Sequence, residues 1–436
     1  MLKKIHIENY KSLKNVDVPC TALNLLTGVN GAGKSSFIQV LRMLHATAYN
    51  IETPKQILCV NDFGGGPEIE DIRYAYVPDS SQIMISASFD SEKCELVRIT
   101  RVVGSSIDEE PGHVYFEHPN WHNVIGYAYS HPTILESRYE EGKGDVKQSD
   151  IDKAYEEAER EIEKATKKIH TEEQDAVVAF KCLGRGFQFV DAFRQKPTDV
   201  SLGGKYSSIN LLLFGPNVLG TFCPEGKDVA ELLREAGHLE NEPSLLEKVN
   251  QCLTWVSPGA RLNIDRKKAG GNTYYVTSVD YGVDGDTRMF KPQNVGFGVS
   301  YILPVLTTLL TAEKGNVIII ENPEAHLHPR GQSEIGKLIA ETVSRGVQVF
   351  VETHSDHVIN GIRVAVKKGV IKPSDVNIAF FERKEHAVVD DEGKESHEIF
   401  STVRDITVDE NGSLSEYPED FMDEWNNQLM RLMQAN

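Results

Sequence analysis

Basic residues are scarce in this sequence. Its 436 residues include 46 Lys and Arg against 65 Asp and Glu, which gives a formal net charge of −19 at pH 7. Proteins that wrap duplex DNA along a wide face carry a basic surplus, because neutralising phosphates dominates their affinity. The composition therefore argues against broad, non-specific DNA binding. It favours a protein partner, or a nucleic acid held at a small site.

Paired cysteines and long apolar runs are also missing. The six cysteines are scattered, with no C-x-x-C pair, so they predict a reducing compartment and no structural zinc. No apolar run approaches the roughly 20 residues that a membrane helix needs. Residues 1–10 alternate like an edge strand and do not resemble a signal peptide. We therefore expect a cytoplasmic protein without a membrane segment.

One stretch near the amino terminus organises the rest of the chain. Residues 28–35 have the G-x-x-x-x-G-K-S spacing of a phosphate-binding loop, between an apolar strand at residues 22–26 and a helix at residues 36–44. Such a loop turns backbone N–H groups toward a phosphate at the positive end of the helix. Lys34 is expected to neutralise the β- and γ-phosphates, and the Ser35 hydroxyl to ligate Mg²⁺. The expected phosphate contacts are Asn30, Gly31, Gly33, Lys34, Ser35 and Ser36.

Two later strands end in residues suited to the same site. Residues 317–320 form an apolar strand that ends in Glu321, where a nucleotide site needs a carboxylate beside Mg²⁺. Glu324 follows three residues later and is a candidate general base for the attacking water. The strand at residues 347–351 repeats the pattern, and His354 just beyond it could reach and sense the γ-phosphate.

A glycine pair and several histidines add to this picture. Gly296 and Gly298 free backbone N–H groups at the start of a long apolar helix, which predicts a second anion cradle. The histidines raise a metal site as an alternative to nucleotide sensing. They lack a convincing third ligand, since they form only two pairs, His326 with His328 and His354 with His357.

Five segments, in order along the chain, resemble ABC-type ATPases of the SMC/RecF branch, and most closely the proteins that share an ATPase domain with the OLD (overcoming lysogenization defect) proteins. These segments are IENYKSL, GVNGAGKSS, NVGFGVSYILP, IIIENPEAHLHPRGQ and VFVETHSDHVINGI. The resemblance covers residues 1–44 and 294–362 strongly and the middle loosely. The tail at residues 406–433 is similar to a small domain of unknown function found on bacterial members.

The resemblance implies an α/β fold: an ABC-type P-loop ATPase head with an antiparallel β subdomain, a short helical insertion and a small C-terminal extension. It places Walker A at residues 28–35, Walker B at 317–321, the D-loop at 327–329, the signature loop at 295–300 and the switch histidine at His354. The signature residues expected to contact nucleotide are Gly296, Gly298 and Ser300.

The same resemblance implies cofactors and partners. ATP and Mg²⁺ are expected, with Ser35 and Glu321 as metal ligands, and with two ATP molecules sandwiched between heads in a homodimer or higher homo-oligomer. Family members with this tail often serve as sensor ATPases in bacterial anti-phage defence, paired with a separate effector protein. We expect the same arrangement here, with nucleic-acid binding possible but not favoured by the charge.

The sequence departs from the family pattern at two points. Asn322 stands where many relatives have a catalytic glutamate, so Glu324 is expected to take that role and the hydrolysis rate to be slow. The signature lacks the L-S-G-G form, since Gly296 stands where the serine would be.

The sequence predicts five regions: residues 1–135 with the phosphate loop and antiparallel sheet, 136–200 as a helical insertion, 201–293 as a middle or lid region, 294–375 as the second part of the head, and 376–436 as a small acidic domain. The Glu-, Lys- and Ala-rich residues 149–174 fit either an ordinary surface helix or a short partner-docking arm. The acidic tail fits either a docking surface or a self-contained lid.

Two further functions remain as alternatives. An OLD-like nuclease would need an additional catalytic domain with several metal-binding acids, and roughly seventy residues follow residue 362, fewer than most such domains contain. A DNA-repair ATPase acting directly on DNA is the other alternative, which the acidic charge makes less attractive.

Overall fold

The computed structural model describes residues 1–50, 72–78, 81, 83–89, 97–103, 113–117, 153, 160, 183, 186–192, 200–202, 243–282, 288–389 and 395–434. The strands in these ranges are β1 (Leu2–Tyr10), β2 (Leu13–Pro19), β3 (Leu23–Gly28), β4 (Ile83–Phe89), β5 (Val97–Val103), β6 (His113–Glu117), β7 (Phe187–Val190), β8 (Val200–Leu202), β9 (Arg261–Ala269), β10 (Asn272–Asp280), β11 (Met289–Phe290), β12 (Val317–Glu321), β13 (Gln348–Glu352), β14 (Val376–Val389) and β15 (Glu395–Ile406). The α-helices are α1 (Lys34–Asn50), α2 (Leu245–Val256), α3 (Phe297–Thr311), α4 (Pro329–Ser344), α5 (Asp356–Lys367) and α6 (Glu424–Gln434).

A six-stranded sheet lies at the centre of the described structure, in the order β15-β14-β3-β13-β12-β7. The strands from β14 to β7 are parallel to their neighbours, and β15 runs antiparallel at one edge. Strands β12 and β13 are short runs of buried residues, as expected where helices cover both faces of a parallel sheet. The predicted α/β fold class is confirmed.

The two faces of this sheet pack against different layers. On one face, Ile319 and Phe350 belong to the same core as Phe37 of α1 and the buried residues of β1, β2 and β4. On the other face, Ile320 and Val351 pack in the core formed with helices α2 to α5. Because side chains alternate along a strand, successive residues of β12 and β13 pack in the cores on opposite faces of the sheet. Helix α1 therefore lies against the central sheet, with the loop that precedes it at the sheet's carboxyl edge.

An antiparallel sheet, in the order β2-β1-β4-β5-β6, covers the other side of α1. Strands β4, β5 and β6 follow α1 in the chain and join the amino-terminal hairpin through the pairing of β4 with β1. This arrangement confirms the predicted antiparallel β subdomain. The expected helix at residues 149–174 lies outside the described residues, apart from residues 153 and 160.

The carboxyl-terminal segment extends the central sheet. Strand β14 pairs in parallel with β3, with Val376 opposite Leu23 and Phe381 opposite Gly28. It continues to Val389 and pairs along its length with β15. Our predicted division between residues 375 and 376 therefore falls at the start of a strand of the central sheet. Because β14 continues beyond Gly28, the end of the β14–β15 hairpin projects past the carboxyl edge where the phosphate loop lies.

A smaller antiparallel sheet is built around β10, which pairs with β9, β8 and β11. The neighbouring helix α2 begins with a capping box, in which the Ser244 side chain accepts the backbone N–H of Glu247 and the Glu247 carboxylate accepts that of Ser244.

Within the described ranges, none of the helices combines the length and the apolar character needed to cross a membrane.

Candidate functional site

The loop between β3 and α1 forms a cradle for an anion. Gly31 and Gly33 have φ values of 77° and 101°, a region open to glycine. Lys34 begins α1 and folds back on the loop, since its Nζ donates to the carbonyl oxygens of Gly28 at 2.9 Å and Val29 at 3.0 Å. Backbone N–H groups at a helix N-terminus, together with a lysine ammonium, make a site for phosphate.

The predicted phosphate contacts lie together in this loop and the first turn of α1. Asn30, Gly31 and Ser35 are exposed, Ser36 is half-buried and Lys34 is 4% exposed. Burial lowers the pKa of the Lys34 ammonium. The ammonium is nevertheless held beside a carboxylate, described below, which favours its charged form.

Two glycines of the loop lie so close to neighbouring segments that a side chain would collide with them. Gly28 has a φ of 127°, and a Cβ at this position would lie 2.1 Å from the carbonyl oxygen of Phe381 on β14. A Cβ on Gly33 would lie 3.0 Å from Ser401 Oγ on β15. The Ser401 hydroxyl and backbone N–H donate to Ser12 Oγ and Ser12 O, each at 2.8 Å. The hairpin of β14 and β15 thus supports the phosphate loop directly.

Glu321 stands at the carboxyl end of β12, as predicted. Its Oε2 accepts the backbone N–H of Ala192 at 3.1 Å, in the segment that follows β7. Burial raises the pKa of Glu321 to about 7, and the negative charges of Asp191 and Glu352 also raise it. The hydrogen bond from Ala192 and the positive charge of Arg42 on α1 act in the opposite direction. A buried carboxylate whose pKa is raised in this way is a candidate functional residue.

Glu324 is tied to the loop that carries His354. Its Oε2 accepts the Thr353 hydroxyl at 2.9 Å, and its Oε1 accepts the backbone N–H of His354 at 2.9 Å. The His354 side chain is exposed, and partial desolvation together with the nearby Lys34 charge lowers its pKa. The structure therefore brings three of the predicted residues, Lys34, Glu324 and His354, to one edge of the sheet.

Glu352 is a site residue to which the sequence analysis gave no role. It ends β13, in register with Glu321 on one neighbouring strand and with Leu26 on the other. It is 7% exposed. Burial raises its pKa, which Lys34 opposes. The signal in the sequence was a charged residue ending an apolar strand, the same signal that identified Glu321.

The signature residues are divided between surface and core. Gly296 is the exposed N-cap of α3, and a Cβ on Gly298 would lie 2.7 Å from the backbone oxygen of His326, so this turn packs closely on the loop after β12. Ser300 was expected to contact nucleotide, but it is 1% exposed and its hydroxyl donates to Pro292 O at 3.5 Å. The reason is its place one turn inside α3, on the side that faces the core.

The residues present fit ATP and Mg²⁺. The glycine cradle and Lys34 suit phosphate, and the Ser35 hydroxyl with the carboxylates of Glu321 and Glu352 supplies the hard oxygen donors that Mg²⁺ prefers. Mg²⁺ in phosphate sites keeps several waters and takes few protein ligands. That is compatible with a second finding: among the described residues, no cluster of three or more His, Cys, Asp or Glu could hold a metal by itself.

Two protein families match the chain. A family described as an AAA domain, putative AbiEii toxin, type IV TA system, matches residues 23–360. A family described as a protein of unknown function matches residues 371–432. No curated protein sequence matches the chain.

The chain is also similar to solved Smc head domains. A Smc head bound to the C-winged helix domain of ScpA has 12% sequence identity and a TM-score of 0.46, over 93% of this chain and 97% of that one. A Smc head with an extended coiled coil, bound to the C-terminal domain of ScpA from Pyrococcus furiosus, has 11% identity and a TM-score of 0.43, over 100% and 99%. The SMC head domain from Thermotoga maritima has 11% identity and a TM-score of 0.39, over 92% and 98%.

Proposed function

The chain belongs to the family described as an AAA domain, putative AbiEii toxin, and from that premise we propose that it is an ATP-driven molecular switch. In this proposal it binds ATP with Mg²⁺, associates with a second copy through the bound nucleotide, and returns to its first state by slow hydrolysis. The observation that carries the proposal is the hydrogen bond from the His354 backbone N–H to Glu324, because it joins the expected sensor to the expected base.

The phosphate-binding part of the proposal uses the cradle before α1. The backbone N–H groups of Gly31 and Gly33 and the Lys34 ammonium bind the phosphates. Ser35 and Glu321 hold the Mg²⁺ ion, which when bound neutralises phosphate charge. Their placement supports this division of roles, since Ser35 is exposed at the mouth of the loop while Glu321 ends β12.

In the hydrolytic part of the proposal, the carboxylate of Glu324 acts in place of the catalytic glutamate, because position 322 holds an asparagine. Asn322 has a φ of 46°, a left-handed conformation that asparagine tolerates well, so β12 turns sharply there and Glu324 follows at the edge of the sheet. Glu324 orients the attacking water and accepts its proton. His354 donates to the γ-phosphate, and its backbone passes the presence of that phosphate to Glu324.

The partners follow from the same assignment. In the proposal, Gly296 contacts the nucleotide held by a second copy; its exposed position at the N-terminus of α3 supports this role. The description of the matching family as a putative toxin of a type IV TA system supports a role in a system with more than one protein. We assign the chain the part of a sensor ATPase in bacterial anti-phage defence, acting through a separate effector protein.

The variant Glu324→Gln tests the switch, with the exposed Glu341→Gln on α4 as the matched control. Turnover is expected to fall about 100- to 10,000-fold in Glu324→Gln, which loses the base. Light scattering should show a dimer of Glu324→Gln that persists in ATP and a dimer of Glu341→Gln that decays as ATP is consumed. Undiminished turnover by Glu324→Gln would reject the assigned base, and an unchanged mass in ATP would reject the dimer.

The same assay, run on the wild-type chain with linear duplex DNA across a salt series, tests the alternative functions. Hydrolysis that is indifferent to DNA is expected for a switch controlled by a protein. Stimulation that fades steeply with salt would favour an ATPase that acts directly on DNA, and metal-dependent nicking would favour a nuclease.

A further inference from the structure

The side chain of Gln332, in the first turn of α4, bridges the two loops that carry Glu324 and His354. Its Nε2 donates to the backbone oxygen of Leu327 at 2.8 Å, and its Oε1 accepts the Ser355 hydroxyl at 2.5 Å. Leu327 lies in the loop after β12, and Ser355 directly follows His354. One amide group therefore ties the two loops together, and the proposed function gives it no part.

The Ser355 hydroxyl depends on Gln332 for its acceptor. Ser355 is the N-cap of α5, and its oxygen accepts the backbone N–H groups of His357 and Val358, each at 3.2 Å. A serine hydroxyl has one hydrogen and two lone pairs, so these two bonds and the bond to Gln332 use all of them. Ser355 is 7% exposed. Gln332 thereby fixes the orientation of the residue at which the loop after β13 becomes α5.

The hydrogen bonds around Gln332 close into a ring that includes the proposed base. The backbone N–H of Ser355 donates to the Thr353 hydroxyl at 3.1 Å, and that hydroxyl donates to Glu324 Oε2 at 2.9 Å. The ring is completed by the backbone N–H of Leu327, which donates to Glu324 O at 3.0 Å. The two loops are therefore held together at two points, by Glu324 at one and by Gln332 at the other.

We propose that Gln332 is a positioning residue for hydrolysis: by bridging Leu327 and Ser355, it holds the Glu324 carboxylate against the loop that carries His354. The inference rests on the proposed function, in which Glu324 orients the attacking water and His354 contacts the γ-phosphate. A catalytic group must be held within about 0.5 Å of its productive position, and supporting hydrogen bonds supply that precision.

Close packing of α4 against α5 puts Gln332 within reach of Ser355. A Cβ on Gly336 would lie 2.3 Å from Val358 O and 3.2 Å from Gly361 Cα, so the two helices meet there backbone to backbone. Gly336 is four residues after Gln332 and therefore lies on the same face of α4. The helix contact thus places the glutamine at the start of α5.

An alternative role leaves the same contacts: Gln332 does no more than hold α4 against α5. The two roles differ in what is lost with the side chain. A contact that only stabilises the fold contributes to the free energy of unfolding and leaves the turnover of the folded chain unchanged. Positioning of the base contributes to kcat, and it leaves nucleotide affinity unchanged because Gln332 binds no phosphate in the proposal.

Steady-state ATP hydrolysis, binding of a non-hydrolysable ATP analogue and urea unfolding are measured for the wild-type chain, Gln332→Leu and Asn250→Leu. Asn250 is the matched control, a half-buried amide on α2 that donates to Leu262 O at 3.0 Å and accepts the Leu262 N–H at 2.7 Å. Gln332→Leu is expected to lower kcat roughly tenfold, the effect of a lost hydrogen bond, with unchanged affinity for the analogue. Asn250→Leu is expected to lose stability and keep the wild-type kcat.

Gln332→Glu separates the two arms of the bridge, and it decides the matter if Gln332→Leu does not fold. The glutamate keeps an oxygen that accepts the Ser355 hydroxyl, but it replaces the N–H group that donates to Leu327 O with a second acceptor. Because the bridge needs both arms, kcat is expected to fall roughly tenfold here too.

Thr353→Val breaks the same ring at another bond. Combined with Gln332→Leu, it is expected to lower kcat far less than the product of the two single losses, because both variants release the same carboxylate. An unchanged kcat in either Gln332 variant, an equal loss of analogue affinity, or losses that multiply with Thr353→Val would overturn the inference. The proposed function would still be upheld by the loss of turnover in Glu324→Gln. A wild-type chain that hydrolyses no ATP would reject the proposed function and the inference with it.

Discussion

Glu324 accepts the backbone N–H of His354 at 2.9 Å, so the carboxylate after β12 and the loop after β13 are held as one unit. The second oxygen of the same carboxylate accepts the hydroxyl of Thr353, also at 2.9 Å. A displacement of the His354 backbone must therefore move Glu324 or break a charge-assisted hydrogen bond. This relationship gives the proposed switch a physical path from the phosphate sensor to the base.

Thr353→Val tests that path. The hydroxyl of Thr353 donates to Glu324 and accepts the backbone N–H of Ser355 at 3.1 Å. Its loss leaves a carboxylate oxygen and a buried N–H with one partner fewer, so turnover should fall roughly tenfold, equivalent to about 1.4 kcal/mol. Nucleotide affinity should change little, because neither group binds phosphate in the proposal.

Thr308→Val on α3 is the matched control, since Thr308 is also buried and its hydroxyl has no hydrogen-bond partner among the described residues. Replacing such a hydroxyl with a methyl group is expected to be neutral or stabilising. Steady-state hydrolysis and thermal unfolding of both variants check this. Equal turnover in the two variants would show that the Thr353 contact does not serve the base.

Gly28→Ala tests the support of the phosphate loop by β14. A Cβ on Gly28 would lie 2.1 Å from the Phe381 carbonyl oxygen, at a φ of 127° that side chains rarely adopt. The comparison is Gly31→Ala, where φ is 77° and no atom lies within 4 Å of the new Cβ. Gly31→Ala should cost about 1–2 kcal/mol of unfolding free energy, for the left-handed conformation alone.

Gly28→Ala should cost more, because the strand must also move. Denaturant unfolding without nucleotide measures both costs. Equal costs would mean that β14 does not constrain the loop.

His45 on α1 gives the unfolding free energy a dependence on pH. Its Nδ1 is hydrogen-bonded to the carbonyl of Leu183, its ring stacks on Phe187 at 4.0 Å between centroids, and burial lowers its pKa from 6.5 to about 4. The unfolded chain therefore binds a proton that the folded chain does not. The stability contributed by neutral His45 is present above pH 6.5 and is lost as the pH falls toward 4.

His45→Asn should remove this residue's share of the acid-induced loss of unfolding free energy. That share is up to about 3 kcal/mol. Thermal unfolding between pH 4 and pH 8 checks the difference. The same pH dependence in His45→Asn and the wild-type chain would contradict the assignment.

The sequence alone was enough to predict the strands and helices whose residues form strong local patterns. The G-x-x-x-x-G-K-S loop predicted a strand and a helix on either side, and β3 and α1 confirm both, although α1 begins at Lys34 and extends to Asn50. The apolar runs before Glu321 and His354 predicted strands, and β12 and β13 confirm them. These signals are local because burial on both faces leaves a continuous apolar run.

The remaining features depend on pairing between distant segments. The position of Glu352 beside Glu321 and the phosphate-loop strand follows from the register of β13 between β12 and β3, which no local pattern encodes. The burial of Ser300 depends on which side of α3 faces the core. The extension of the central sheet by β14 was also missed, because its pairing with β3 joins residues about 350 positions apart, and such contacts leave no local trace.

Equilibrium binding of ATP in the presence of Mg²⁺ is the most direct test of the central claim. It compares the wild-type chain with Lys34→Ala and with the control Lys367→Ala, which removes an exposed lysine from the end of α5. The wild-type chain and Lys367→Ala should bind ATP with equal affinity. Lys34→Ala should bind roughly 100-fold more weakly, because it loses charge-assisted hydrogen bonds to phosphate. Equal binding by Lys34→Ala, or no binding by the wild-type chain, would contradict the central claim.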